Sequence, residues 1–148
     1  MKKIKTVLTA IVMLLSISSF ATDPENVSPA VKNAFQNDFV KASQVKWDKT
    51  DDFYFASFFL NEVQVNAAYT EAGELIGTSR NISASQMPLS ILVNISDKYK
   101  GYQVEDVVTE LTFASVTRYY VTVSNDKQIV KLKCFNDGDM EIQSKTKK

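Results

Sequence analysis

The chain predicts an α+β fold built as a tandem repeat, each copy contributing one helix and a four-stranded antiparallel sheet. Three observations carry this. A proline opens an amphipathic helical pattern at Ser28-Pro29 and again at Met87-Pro88; each helix is followed by segments of period two; and the turn phrases of the halves match. Asn61-Glu62-Val63-Gln64 corresponds to Asn125-Asp126-Lys127-Gln128, and Ala72-Gly73-Glu74-Leu75 to Asp137-Gly138-Asp139-Met140. The copies run over residues 28–83 and 85–145.

The first residues stand apart from the fold. Lys2, Lys3 and Lys5 precede an apolar stretch, Val7 to Ile17, which ends in small residues, with Ser19 and Ala21 where a signal peptidase requires them. Residues 1–21 are therefore expected to be a signal peptide, and residues 22–148 one periplasmic or secreted domain. The apolar stretch is too short to span a bilayer. Three of the 17 basic residues leave with the leader, so 14 basic residues face 17 acidic ones, a net charge of −3. That balance argues against nucleic-acid binding. Cys134 is the only cysteine, so no intrachain disulfide is available, and its register places it in the core.

In the first copy, Ser28 is positioned to cap a helix and Pro29 suits its first turn. Ala30, Val31, Ala34 and Phe35 fall on one face, opposed by Lys32, Asn33, Gln36 and Asn37, and the helix ends near Asp38. Strands are expected at residues 44–48, 53–60, 63–69 and 74–82. In the second copy Leu89, Leu92, Ile95 and Tyr99 form the helical stripe and Gly101 the stop. Strands follow at 102–109, 118–125, 128–135 and 139–144, with 110–117 a connection.

A two-residue turn at Asn61-Glu62 places Tyr54, Ala56, Phe58 and Leu60 on the same side as Val63, Val65, Ala67 and Tyr69. A four-residue connection at 49–52 pairs Trp47 with Tyr54 and Val45 with Ala56. In the second copy, a turn at Asp126-Lys127 sets Tyr119, Val121 and Val123 beside Val130, Leu132 and Cys134. These are core faces. The opposite face carries Phe53, Phe55 and Phe59 with Lys46, Gln64 and Asn66 in one copy, and Tyr120, Ile129, Phe135, Lys131 and Lys133 in the other.

The order of these phrases resembles the small secreted PepSY-like, beta-lactamase-inhibitor-like proteins of Gram-negative bacteria. The matching residues are Val31 to Phe35, Phe39 with Ala42, Val45 and Trp47, then Tyr54-Phe55-Ala56. They continue with Tyr69 ahead of Gly73, Met87-Pro88, and Tyr99-Lys100-Gly101-Tyr102. Val40 departs from the pattern, which has proline after the phenylalanine. The resemblance implies a curved eight-stranded antiparallel sheet with both helices on one face, as in a beta-lactamase inhibitor protein. It also implies a protein-binding or inhibitory role.

The chain has no histidine, which removes the usual general base near neutral pH and the commonest metal ligand. Asp51-Asp52 reads as a solvated hairpin tip; the resemblance implies that a hairpin carboxylate of such an inhibitor can enter an enzyme's cleft, which makes Asp51 and Asp52 candidates for that role. Asn136-Asp137-Gly138-Asp139 resembles part of a calcium loop but lacks its remaining ligands, and reads as a turn. No cofactor and no metal are expected, nor an enzyme. The expectation is a binding module for a protein or peptide, with Phe53, Phe55, Phe59 and Tyr120 as anchors and Lys131 and Lys133 setting charge preference. The alternative is a small-molecule carrier with a cavity lined by Trp47, Tyr54, Tyr69 and Tyr119.

Overall fold

A computed structural model describes residues 26–148; the expected signal peptide lies outside the described residues. Two helices, α1 (Pro29–Asp38) and α2 (Leu89–Lys98), accompany strands β1 (Ser43–Lys49), β2 (Phe53–Leu60), β3 (Val63–Thr70), β4 (Leu75–Ser83), β5 (Gln103–Val104), β6 (Val107–Phe113), β7 (Val116–Ser124), β8 (Gln128–Phe135) and β9 (Met140–Lys147). They form one antiparallel sheet in the order β1-β2-β3-β4-β6-β7-β8-β9, with the short β5 paired to β7. Among the described residues the strands number nine rather than the expected eight. Residues 103–104 pair separately, and the segment expected to be a connection at 110–117 is the end of β6, a tight turn and the start of β7. That turn places Ala114 (φ 49°) and Ser115 (φ 63°) in the left-handed region. Neither residue advertises it.

The chain divides into two compact units. The first runs to Arg80 and includes Phe113–Ser115; the second comprises Asn81–Thr112 and Val116–Lys148.

In the first unit, the Ser28 hydroxyl accepts from the Val31 N–H at 3.3 Å, capping α1 as its position predicts. Val31 and Phe35 face a core of Trp47, Tyr54, Ala56, Phe58, Val65, Ala67 and Tyr69. Phe35 is its hub, edge-on to Trp47 at 5.1 Å and to Phe58 at 4.9 Å between ring centroids. The β2–β3 register is as expected: Tyr54 opposite Tyr69, Ala56 opposite Ala67 and Phe58 opposite Val65. The β1–β2 register differs by two residues. Trp47 stands opposite Ala56, and Lys49 opposite Tyr54. The connection is shorter than expected because Thr50 and Phe53 bond to each other, Thr50 N–H to the Phe53 carbonyl at 2.9 Å, leaving only Asp51-Asp52 at the tip. A shift of two preserves the face, so Trp47 still points to the core.

In the second unit, Pro88 precedes α2, whose Ile91 and Ile95 pack on Val108, Tyr119, Val121, Val123, Val130, Leu132 and Cys134. The β7–β8 register matches expectation throughout, with Tyr119 opposite Cys134 and Val121 opposite Leu132.

Each helix is approached by a turn glycine. Gly73 (φ +85°) closes the β3–β4 turn, and a Cβ there would lie 2.7 Å from the Ala30 carbonyl oxygen of α1. Gly138 (φ +93°) closes the β8–β9 turn, where a Cβ would meet Asn94 Nδ2 at 2.5 Å and the Ser90 carbonyl oxygen at 3.0 Å. Both turns share their hydrogen bonds: Gly73 N–H to Thr70 O and Thr70 N–H to Glu74 O, and Gly138 N–H to Phe135 O and Phe135 N–H to Asp139 O. In the partial calcium-loop sequence, Asp137 Oδ1 accepts from the Asp139 N–H at 3.0 Å, so that carboxylate serves the turn.

Candidate functional site

The face of the first unit away from α1 is built by the alternation of β2. Phe53, Phe55, Ser57 and Phe59 point there, and register carries rows across the neighbouring strands. One row runs Asp48, Phe55, Ala68, Gly77; the next runs Lys46, Ser57, Asn66, Ser79. The first row gives the Phe55 ring two small neighbours to lie over, and Phe55 is buried at 7% exposure. Phe55, expected as a surface anchor, is therefore part of a second apolar layer. The second row is polar and bonded: Ser57 Oγ donates to Asn66 Oδ1 at 2.7 Å, and Asn66 Nδ2 donates to Ser79 Oγ at 3.4 Å. Phe53 and Phe59, at the ends of β2, flank these rows and remain half-buried. The Phe53 and Phe55 rings lie 6.4 Å apart, edge to face. Asp51 and Asp52 sit exposed at the hairpin tip beside Phe53 in sequence.

The second unit also has a face away from its helix. Tyr120 stands directly opposite Lys133, and Thr122 opposite Lys131. Tyr120 is half-buried and Lys131 exposed, with no ion-pair partner among the described residues. Lys133 is committed differently from expectation. Its ammonium bonds Glu141 Oε2 at 2.7 Å and lies 5.0 Å from the centre of the Phe135 ring, so its charge is already engaged.

The expected ligand cavity is not formed by the tyrosines named for it. Tyr69 is fully buried, its hydroxyl donating to Asp38 Oδ2 at 2.9 Å, and Tyr54 is buried in the same cluster. Burial, and then the Asp38 hydrogen bond, push the Tyr69 phenol well above its usual range. Tyr119 lies in the core of the second unit. Only Trp47 borders open space, in a groove of about 360 Å³ between α1 and β1. Its other walls include Phe35, Phe39 and Val45, with Lys32 and Gln36 along one side. Sequence reasoning missed this groove; the i, i+4 pair Lys32 and Gln36 was a signal, read only as the wet side of a helix.

No helix among the described residues is long and apolar enough to cross a membrane. Among the described residues there is also no group of three or more His, Cys, Asp or Glu placed to hold a metal.

Two helices on a nine-stranded antiparallel sheet in this order define an α+β protein of the BLIP-like fold. The chain is similar to a solved BLIP-like protein from Bacteroides fragilis, with a TM-score of 0.64 and 19% identity over 81% of this chain and 85% of that one. A DUF2874 family protein from Bacteroides ovatus gives a TM-score of 0.66 at 20% identity, covering 86% and 89% of the two chains. A protein provisionally described as periplasmic, from Bacteroides eggerthii, gives 0.65 at 15% identity over 87% and 90%. At these identities the likeness is one of fold. No family model and no curated protein sequence matches the chain.

Proposed function

We propose that this protein is a non-enzymatic periplasmic or secreted module that binds a protein or peptide through the sheet face away from its helices. The observation that carries the reading is the placement of Phe53 and Phe59. Two half-exposed aromatic rings flank a hydrogen-bonded polar row on one strand, an arrangement of anchors around fixed polar groups suited to a partner surface. On the second unit's own face, Tyr120 offers an aromatic and Lys131 a cation with no ion-pair partner among the described residues. Phe55 and Lys133 serve this reading indirectly, one by supporting the layer beneath the anchors and the other through its pair with Glu141. Asp51 and Asp52 extend from the same hairpin as Phe53.

The exported location rests on the leader-like residues 1–21 and on similarity to a protein described as periplasmic. The PepSY-like resemblance makes restraint of a peptidase the natural consequence of binding, and this forms part of the proposal.

The test is selection of a random-peptide phage library on the immobilised protein, with capture from periplasmic extract in parallel. Replacing Phe53 and Phe59 with serine is expected to abolish enrichment and capture while the protein stays folded by far-UV circular dichroism. Enrichment that survives both substitutions overturns the assignment of this face.

A further inference from the structure

The groove between α1 and β1 lies apart from that face and calls for a different occupant. It lies beside a local defect in the edge strand. Register shifts between Ser43 and Lys46, so that Gln44 and Val45 together stand opposite the single residue Phe58, and Gln44 takes a φ of 53°. A bulge of this kind bends the strand and re-aims a side chain. Val45, packed against the core cluster, becomes a wall of the groove. Val40, 82% exposed, stands at its rim as an apolar residue with most of its surface in water.

The chemistry of the lining is one-sided. Phe35, Phe39, Val45 and Trp47 make an apolar wall, and Lys32 and Gln36, one turn apart on α1, border it with hydrogen-bond donors. Among the described residues no carboxylate lines the groove. The nearest acid in sequence on α1, Asp38, accepts from Tyr69 instead. Lys32 has no ion-pair partner among the described residues. A volume of about 360 Å³ lies at the small end of the range for ligand sites, roughly 300–1,000 Å³, and suits one small molecule. The bulge denies a peptide strand regular pairing along this stretch of β1.

We infer that this groove binds a small amphiphilic anion: a single carboxylate held by Lys32 and Gln36, with an aliphatic chain lying along Phe39, Val40, Val45 and Trp47. The inference stands on the groove alone and is independent of the peptide-binding reading.

Trp47 is the only tryptophan of the chain, so its emission reports occupancy directly. The experiment titrates the full chain with decanoate and with decylammonium, both below their micelle thresholds, and repeats the titrations with Lys32→Gln, Lys32→Arg and Phe53→Ser. Decanoate is expected to give a saturable emission change at one equivalent per chain, with decylammonium at least tenfold weaker. Lys32→Gln is expected to weaken decanoate at least fivefold, with Lys32→Arg close to the parent and Phe53→Ser unchanged. Absence of a saturable change, equal affinity for the two amphiphiles, or decanoate binding unaltered in Lys32→Gln each overturns the inference. Should Lys32→Gln fail to fold by circular dichroism, the contrast between the two amphiphiles on the parent protein decides alone.

Discussion

The Tyr69 hydroxyl donates to Asp38 Oδ2 at 2.9 Å, tying the middle of the sheet in the first unit to the last residue of α1. The phenol belongs to a fully buried side chain while the carboxylate belongs to an exposed residue, so the bond satisfies a polar atom that the core would otherwise strand.

Replacing Tyr69 with phenylalanine is expected to destabilise the protein by about 1 kcal/mol, the net worth of such a bond. It should also change the alkaline limb of stability. The folded phenol holds its proton above the ordinary value near 10. Its contribution is therefore complete below about pH 10 and lost as pH rises further, because the unfolded chain releases the proton first. Denaturant midpoints measured from pH 8 to 11 should fall less steeply in Tyr69→Phe than in the parent.

Cys134 gives an earlier alkaline effect. Burial pushes its thiol up to about 11, from an ordinary value near 8.5, so its contribution fades as pH rises through roughly 9 to 11. Cys134→Ala should remove this component, at a cost of about 1 kcal/mol for the lost packing at a fully buried site. In the native protein the thiol is expected to resist iodoacetamide at pH 8 for hours and to react completely once guanidinium unfolds the chain, as read by mass spectrometry.

Three glycines separate two sources of strain. At Gly101 (φ +81°) nothing lies within 4 Å of an added Cβ, so Gly101→Ala should cost about 1 kcal/mol from backbone conformation alone. At Gly73 the same backbone penalty is joined by a 2.7 Å approach to a helix carbonyl. Gly73→Ala should cost about 3 kcal/mol, with Gly138→Ala between the two because Asn94 can swing aside. Urea denaturation of the three variants orders them.

Phe55 and Phe59 are separated by only three residues on one strand face, yet they should behave oppositely. Phe55→Ser is expected to cost about 3 kcal/mol, as for a buried aromatic, and Phe59→Ser about 1 kcal/mol or less. Thermal melts distinguish them. Similar losses at both positions would make the whole face a second core.

Sequence pattern made both helices, most of the core faces and two hairpin registers legible, because proline starts, glycine stops and period-two alternation all act locally; it misassigned Leu89 and Val63, which are 74% and 40% exposed, and left Ile91, fully buried, out of the second helix's stripe. It misplaced what depends on a turn without a signature. Ala114-Ser115 adopts left-handed conformations with residues that carry no preference for them, so the end of β6 and the start of β7 read as a connection. Asp51-Asp52 turned the chain in two residues, with Thr50 and Phe53 closing the turn. The candidate face was readable in membership but not in depth: alternation put Phe55 beside Phe53 and Phe59, and only the Ala68-Gly77 row shows why one ring sinks. The groove joins Val45 and Trp47 of β1 to side chains of α1, a meeting of distant segments that no local pattern announces.

The bulge at Gln44 has a consequence for association between chains. β1 and β9 stand at the two ends of the strand order, each with one side lacking a neighbouring strand among the described residues. Such edges template edge-to-edge growth unless something spoils them. β1 is spoiled by geometry, its ladder interrupted at Gln44 and Val45. β9 is spoiled by charge, exposed after Met140 and bearing Lys145 and Lys147. The two end strands are thus guarded by unrelated means, so no single substitution turns both into seeds for fibres.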